Sequence, residues 1–332
     1  MEYSRRLGML SDAQFQAALD RFDLGTFLHA EPISFGNFGQ NVFLSSTQGD
    51  YVLRGAPHYG WQFAKERLFT DLLHERTTAP VPWPYLVDTR EDIFGWAYVI
   101  MPRMPGLQLS DPHVQSGLSS ADRHELARAL GVTLADVHSL TWTHPGEYHP
   151  ETQTIQPLRR DYCDWVLGRI QNYLDRSISA SDRTTDQDVA WVQQLIATAS
   201  SALQIAPEPC FVMEDYKEGN TVAVCEEGSW RISGVFDYME AYFGDGEADL
   251  SRLVATYADQ DVALAETFVS AYVEGLAAHS LSLRPGYVER FPAYMLLDRL
   301  ILWEFGQRTG VWWDADLTLQ EWAERYTSLS VF

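Results

Sequence analysis

The chain has 332 residues, 46% of them hydrophobic and 13% aromatic, which is enough apolar material for two packed lobes and excludes a disordered chain. A formal net charge of −22 argues against a nucleic-acid backbone as partner, and no apolar run is long enough to make a membrane one. The opening residues, MEYSRRLGMLSDAQF, lack the apolar core of a signal peptide, so a cytoplasmic chain is expected.

The charge is uneven. Residues 1–100 hold 12 acids and 8 bases, whereas residues 101–332 hold 34 and 16. A solvated acidic surface explains this, and so does an acidic cleft that attracts a cationic substrate. Lys65 and Lys217 are the only lysines, against 22 arginines. Cys163, Cys210 and Cys225 form no CxxC pair and are expected to be reduced, buried packing residues.

Ser11 and Gln14 form an S-x-x-Q capping box, and Phe15, Leu19 and Phe22 share the face of the helix that follows. Residues 32–44 place apolar runs around a glycine-bearing turn and predict a β-hairpin. Residues 51–54 predict a third strand. Over 61–75 the spacing of Ala64, Leu68 and Leu72, with Phe69 beside them, predicts a helix whose buried face they form. Pro80, Pro82 and Pro84 forbid its continuation. Residues 96–101 predict an apolar strand, broken by Pro102, Pro105 and Gly106. Residues 1–101 thus read as a small α+β lobe, 102–106 as a linker and 107–332 as a larger, mostly helical lobe.

Helical periodicity runs through 122–139 (Leu126, Leu130, Leu134, Val137), 162–174 (Tyr162, Trp165, Val166, Ile170, Leu174) and 191–203. Residues 177–188 read as a serine-rich loop. Helices are also predicted over 249–257, 262–279, 286–306 and 319–329. No internal repeat is visible. Between these helical segments lies 211–252, FVMEDYKEGNTVAV…WRISGVFDYMEAYFGDGEADLSR. It offers Asp215, Lys217 and Asn220 within six residues, then an apolar hairpin, then Asp237. An acid, an amide five residues on and a second acid across a hairpin can hold Mg²⁺ and a phosphoryl acceptor. D-x-x-x-x-N also arises by chance beside core strands.

Taken in order, these parts resemble the aminoglycoside phosphotransferase family, over roughly residues 30–310. Gly36-x-x-Gly39-x-Asn41 is similar to its nucleotide-covering hairpin, and Arg54 to a strand Lys or Arg on the phosphates with Glu66 as ion-pair partner. Met101-Pro102-Arg103 resembles the hinge that meets the base. Asp215, Asn220 and Asp237 match H-G-D-x-x-x-x-N…I-D, and Gly244-Asp245-x-x-x-Asp249-Leu250 matches G-D-x-x-x-D-L-A. The run from Asp237 to Asp245 leans toward the hygromycin-type branch.

The resemblance implies a bilobal protein-kinase-like α+β fold, ATP or GTP with Mg²⁺, and transfer to a hydroxyl of a small, cationic molecule. It implies Asp215 as catalytic base, Asn220 and Asp237 as metal ligands, and the nucleotide on Gly36, Gly39, Asn41, Arg54, Glu66, Met101 and Arg103. Asp249 reads as a helix cap steadying the Asp237 segment. Met213 and Glu214 depart from the family's His-Gly, which puts loop geometry in question, and Lys217 would neutralise the transferring phosphoryl group. The acceptor side would use Asp298, Trp303 and Glu304, with Trp312, Trp313 and Asp314 nearby, although helix packing also explains these residues. A metabolic kinase for choline, homoserine or a sugar uses the same scaffold. A nucleotide-binding pseudokinase is a further reading.

Overall fold

Two short strands that sequence periodicity does not reveal, β1 (Glu2–Ser4) and β2 (Gly8–Met9), pair at the start of the chain. The computed structural model describes residues 2–33, 39–311 and 316–332. Ser11 and Gln14 make the expected reciprocal capping box on α1 (Asp12–Arg21), which buries Phe15, Ala18 and Leu19. Strands β3 (Phe27–Pro32), β4 (Asn41–Ser46) and β5 (Gly49–Gly55) follow, then α2 (Gln62–Arg76), β6 (Leu86–Asp88) and β7 (Tyr98–Pro102). They form an antiparallel sheet of order β3-β4-β5-β7-β6.

Strand alternation sends successive side chains to opposite faces of this sheet. Leu53, Tyr98 and Ile100 join Phe15 and Leu19 on one side. Val99, Met101 and Val52 meet Phe63 of α2 on the other. Arg54 follows Leu53 and so shares the α2 side. The helix buries Gln62, Phe63, Glu66, Phe69, Thr70 and Leu73, not the Ala64–Leu68–Leu72 stripe that apolar spacing predicts. The reason is Arg54: a buried cation on the sheet brings Gln62 and Glu66 inward, and the apolar residues beside them turn half outward.

The chain continues through β8 (Leu107–Gln108), α3 (Pro112–Gly117) and α4 (Ser120–His138). Next are β9 (Gly146–His149), β10 (Thr154–Pro157), α5 (Tyr162–Ala180) and α6 (Asp186–Leu203). Helix α5 takes up the first residues of the predicted 177–188 loop. Then come β11 (Cys210–Val212), β12 (Thr221–Glu226), β13 (Ser229–Val235) and β14 (Tyr242–Gly244). The chain closes with α7 (Leu250–Ala258), α8 (Val262–Ala278), α9 (Tyr287–Thr309) and α10 (Leu319–Thr327).

These elements sort into two compact units. One joins Met1–Asp122, Tyr148–Thr154 and Lys217–Glu240; the other joins Arg123–Glu147, Ile155–Tyr216 and Ala241–Phe332. The first holds the five-stranded sheet and a smaller sheet of order β13-β12-β8. In that smaller sheet a β-carbon on Gly106, at φ +120°, would sit 2.3 Å from the Ala223 carbonyl oxygen, so glycine alone lets the chain turn into β8. In the second, α9 packs against α5, α6, α7 and α10, and α7 against α8. Strand β14 pairs with β11 in register Phe211↔Phe243.

The cysteines are free, as expected, but only Cys210 is buried. Cys163 is half-buried and Cys225 is exposed, because Cys225 lies near the open tip of the β12–β13 hairpin, opposite Trp230.

Candidate active site

Two carboxylates of the sheet-bearing unit converge on Arg54. Its Nη2 donates to Asp237 Oδ1 at 3.1 Å, and its Nη1 lies 3.4 Å from Glu66 Oε2. Arg54 and Glu66 are almost fully buried, whereas the Asp237 side chain keeps 29% of its exposure. Glu66 also accepts from Gln62 Nε2 at 3.1 Å and from the Tyr85 hydroxyl. Burial pushes the Glu66 carboxyl up, with Arg54 pulling against it. Burial works against the Arg54 charge, but Asp237 and then Glu66 outweigh it and hold the guanidinium firmly protonated.

Asp237 has φ +77°. A side chain in this left-handed region is uncommon, and aspartate tolerates it better than most residues. Strand β13 ends at Val235, and the turn at Asp237 directs the carboxylate to Arg54. Asn220 closes the 3₁₀ turn Glu218–Asn220, which Lys217 precedes. Its N–H donates to the Lys217 carbonyl at 2.9 Å and its carbonyl accepts from Phe236 N–H at 3.1 Å. That second bond ties the residue before Asp237 to Asn220. An amide and a carboxylate with oxygen donors suit a hard divalent cation.

Asn41 pairs with Arg54 in register across β4 and β5. Asn41 Oδ1 and Arg54 Nε are both buried with no partner among the described residues, and such groups are uncommon unless a ligand or water answers them. Gly39 has φ +58°, and its carbonyl accepts from Ser4 Oγ of β1 at 2.5 Å. Gly36 lies outside the described residues. Met101 is buried and pairs with Val52. The Arg103 N–H is taken by the Asp50 carbonyl at 3.0 Å, and its guanidinium stacks 3.7 Å from the Phe43 ring centroid.

In the helical unit, Asp215 follows a tightly held turn. Met213 is fully buried. Glu214 has φ +68°, which explains why glycine would suit this position. The two residues are not secured by a histidine at 213. Their N–H groups donate to Asp249 Oδ2 at 2.7 Å and Oδ1 at 2.6 Å. Asp249 therefore has a different role from the expected cap: its side chain makes no cap bond to α7, and it braces the Met213–Glu214 turn. His138 Nε2 lies 3.1 Å from the same carboxylate, with Nδ1 2.9 Å from the Tyr272 hydroxyl. The Glu214 side chain pairs with Arg169. Arg169 is kept protonated against burial by Glu214 and Tyr242, and its guanidinium lies 4.8 Å from the Trp165 ring centroid.

Asp215 Oδ1 accepts from Arg252 Nη1 at 3.1 Å. Asp298, read from sequence as an acceptor-side acid, is buried between Arg252 (Nε to Oδ1, 2.6 Å) and Arg299 (Nε to Oδ2, 3.0 Å). Burial alone would raise its pKa; Arg252 and Arg299 outweigh that and lower it. Glu304 is buried with Arg176 at 2.7 Å and Arg308 at 3.1 Å. Trp303 is buried and donates to Thr184 Oγ1 at 3.0 Å. Trp312, Trp313 and Asp314 lie outside the described residues. Sequence reasoning missed Tyr85, His138, Arg169 and Arg252. Of these only Arg252 carried a positional signal, three residues beyond Asp249 in the D-L-S-R run.

No curated protein matches the chain by sequence. Its fold is shared by solved structures at low identity. A putative aminoglycoside phosphotransferase from Ralstonia eutropha JMP134 superposes with TM-score 0.64 at 16% identity, covering 96% of this chain and 95% of that one. A thermostable mutant of aminoglycoside phosphotransferase APH(4)-Ia, solved with ADP and hygromycin B, gives 0.62 at 18%, covering 94% and 95%. Choline kinase LicA from Streptococcus pneumoniae gives 0.58 at 12%, covering 96% and 98%. The helical and sheet-bearing parts thus follow the kinase-like plan of these structures, and residues 29–281 match the phosphotransferase enzyme family, to which this chain belongs.

Proposed function

We propose that the protein transfers the γ-phosphoryl group of ATP or GTP to a hydroxyl of a small, cationic molecule of the aminoglycoside kind. The observation that carries the reading is the Arg54 bridge, 3.4 Å to Glu66 and 3.1 Å to Asp237. It brings a cation able to hold phosphates, paired with a helix glutamate, beside a carboxylate able to hold a metal, which are parts that phosphoryl transfer uses. The strong excess of acids after residue 100 supports a cationic acceptor. ADP with hygromycin B in one relative, and GDP with kanamycin in another, support the substrate classes.

In this reading Arg54 and the backbone near Gly39 hold the phosphates. Asn220 and Asp237 would hold Mg²⁺, which would supply charge neutralisation for the phosphates. Asp215 orients the acceptor hydroxyl and takes its proton as the new O–P bond forms. The bond from the γ-phosphorus to the bridging oxygen breaks, and the nucleoside diphosphate leaves with that electron pair. Lys217 stabilises the charge on the transferring group. Glu304, Asp298 and Trp303 already have partners inside the helical unit, so the acceptor is better sought among other acids.

A thermal-shift screen with Mg-ATP and Mg-GTP, followed by turnover on aminoglycosides, macrolides, choline and other amino alcohols, tests the proposal. Transfer to one acceptor, abolished in Asp215→Asn, is expected. Nucleotide binding with no acceptor phosphorylated, and no effect of Asp215→Asn, would overturn it in favour of a binding protein. Lys217→Ala should lose turnover and keep nucleotide binding; wild-type turnover would remove that residue from the mechanism.

A further inference from the structure

Arg252 stands in the first turn of α7 between two carboxylates of its own unit. Nη1 reaches Asp215 Oδ1 at 3.1 Å and Nε reaches Asp298 Oδ1 at 2.6 Å. Asp298 is gripped from its other oxygen by Arg299, whose guanidinium lies over the rings of Trp322 and Tyr326 at 5.3 and 4.7 Å from their centroids. Side-chain exposure rises along this series, from 9% at Asp298 through 14% at Arg252 to 28% at Asp215. The anchored end is inside and the end that matters for chemistry is the more exposed.

A guanidinium is a rigid plane. With Nε fixed by Asp298, the direction of Nη1 is fixed too. A carboxylate bonded at Oδ1 by that group cannot rotate freely about its last torsion, so its second oxygen acquires a defined direction. Asp298 also offsets the positive charge that Arg252 brings to Asp215. Two arginines and two aspartates balance, and the base keeps a partner without facing an uncompensated cation.

We propose that Arg252, anchored by Asp298, is a positioning residue that holds one oxygen of the Asp215 carboxylate and so fixes the carboxylate's orientation for the acceptor hydroxyl. The statement rests on the phosphotransfer reading for its reaction, but the lock itself does not. Orientation of a catalytic group is worth up to about 100-fold in rate.

The test uses the full chain as wild type, Arg252→Ala, Arg252→Lys and Asp298→Asn, with ¹³C-labelled aspartate. Arg252→Ala is expected to lower kcat by about 10- to 100-fold with the nucleotide KM within about twofold of wild type. Added guanidinium chloride at low millimolar concentration should restore part of that kcat and leave the wild type unchanged. The Asp215 Cγ resonance should move in Arg252→Ala and return with guanidinium; Asp298→Asn should move it the same way and less. If Arg252→Ala does not fold, Arg252→Lys and Asp298→Asn carry the same readouts. An unmoved Asp215 resonance, or a kcat loss that guanidinium does not rescue, overturns the lock. If the wild type phosphorylates no acceptor, the phosphotransfer reading falls, and the resonance still decides the lock.

Discussion

Arg54 and Asp237 are 183 residues apart in sequence and 3.1 Å apart in space. Arg54 is buried with a second acid, Glu66, so removing its side chain leaves a carboxylate inside without its cation. Arg54→Ala should cost about 3–5 kcal/mol of stability, read from urea unfolding. Arg54→Lys keeps the charge but loses the fork. It should weaken nucleotide binding about 10-fold or more, since a charged hydrogen bond is worth about 1.5–3 kcal/mol. Calorimetric titration with nucleotide checks this.

Asp237 combines a functional carboxylate with a left-handed backbone. Asp237→Ala, Asp237→Asn and Asp237→Gly separate the two. Asn tolerates the backbone and lacks the charge, and Gly relieves the backbone altogether. All three should lose Mg²⁺-dependent turnover by at least about 100-fold. Only Ala should also lose about 1–2 kcal/mol of stability to strain. Equal stability of the three variants would show that φ +77° costs nothing here.

Glu214 sets two effects against each other. Glu214→Gly removes a left-handed non-glycine residue, a gain of about 1 kcal/mol or more, but it leaves Arg169 buried without its acid. Arg169 dominates, so the single variant should be less stable than wild type. Adding Arg169→Met should recover the loss. The double-mutant cycle should show coupling within about 0.5–3 kcal/mol. Zero coupling would mean the pair does not hold the turn before Asp215.

Acid unfolding should separate Asp298 from Glu66. The arginines lower the folded pKa of Asp298. It therefore stabilises the fold above its unfolded value, about pH 4, and that contribution is lost as pH falls through the folded value. Burial raises the folded pKa of Glu66. It favours the fold below about pH 4.3, and that contribution is lost as pH rises through the folded value. The advantage of wild type over Asp298→Asn should shrink on acidification, and wild type should lose stability relative to Glu66→Gln on raising the pH. Urea midpoints from about pH 3 to 7 give both signs.

The long helices were legible because their apolar residues repeat at helical spacing. Leu126, Leu130, Leu134 and Val137 are all buried as their spacing implied. Strands of two or three residues, such as β1, β2 and β8, are too short to show a period. On α2 the period misled, because Gln62 and Glu66 go inside for a buried charge on the preceding strand, and apolar spacing within the helix does not encode that. The candidate site was legible only as an order of motifs. The resemblance paired Arg54 with Glu66 and gave Asp237 to a metal; the contact between Arg54 and Asp237 was in neither reading. Asp249 was noticed for its position at a helix start, while its partners, the N–H groups of Met213 and Glu214, are backbone and carry no sequence signal. Arg252 is one arginine among 22, and its role depends on Asp298, 46 residues on.

The sheet-bearing unit is assembled from three separated pieces of chain, and this bears on how the protein is made. A ribosome extends the chain by about 5–20 residues per second. Strand β8 waits roughly 6–23 s for β12, and Arg54 waits roughly 10–40 s for Asp237, after its own synthesis. Throughout that interval the first hundred residues carry a sheet whose buried cation lacks one of its two acids. A nascent chain stalled before residue 237 should therefore be more open to protease around Arg54 than one released beyond residue 240.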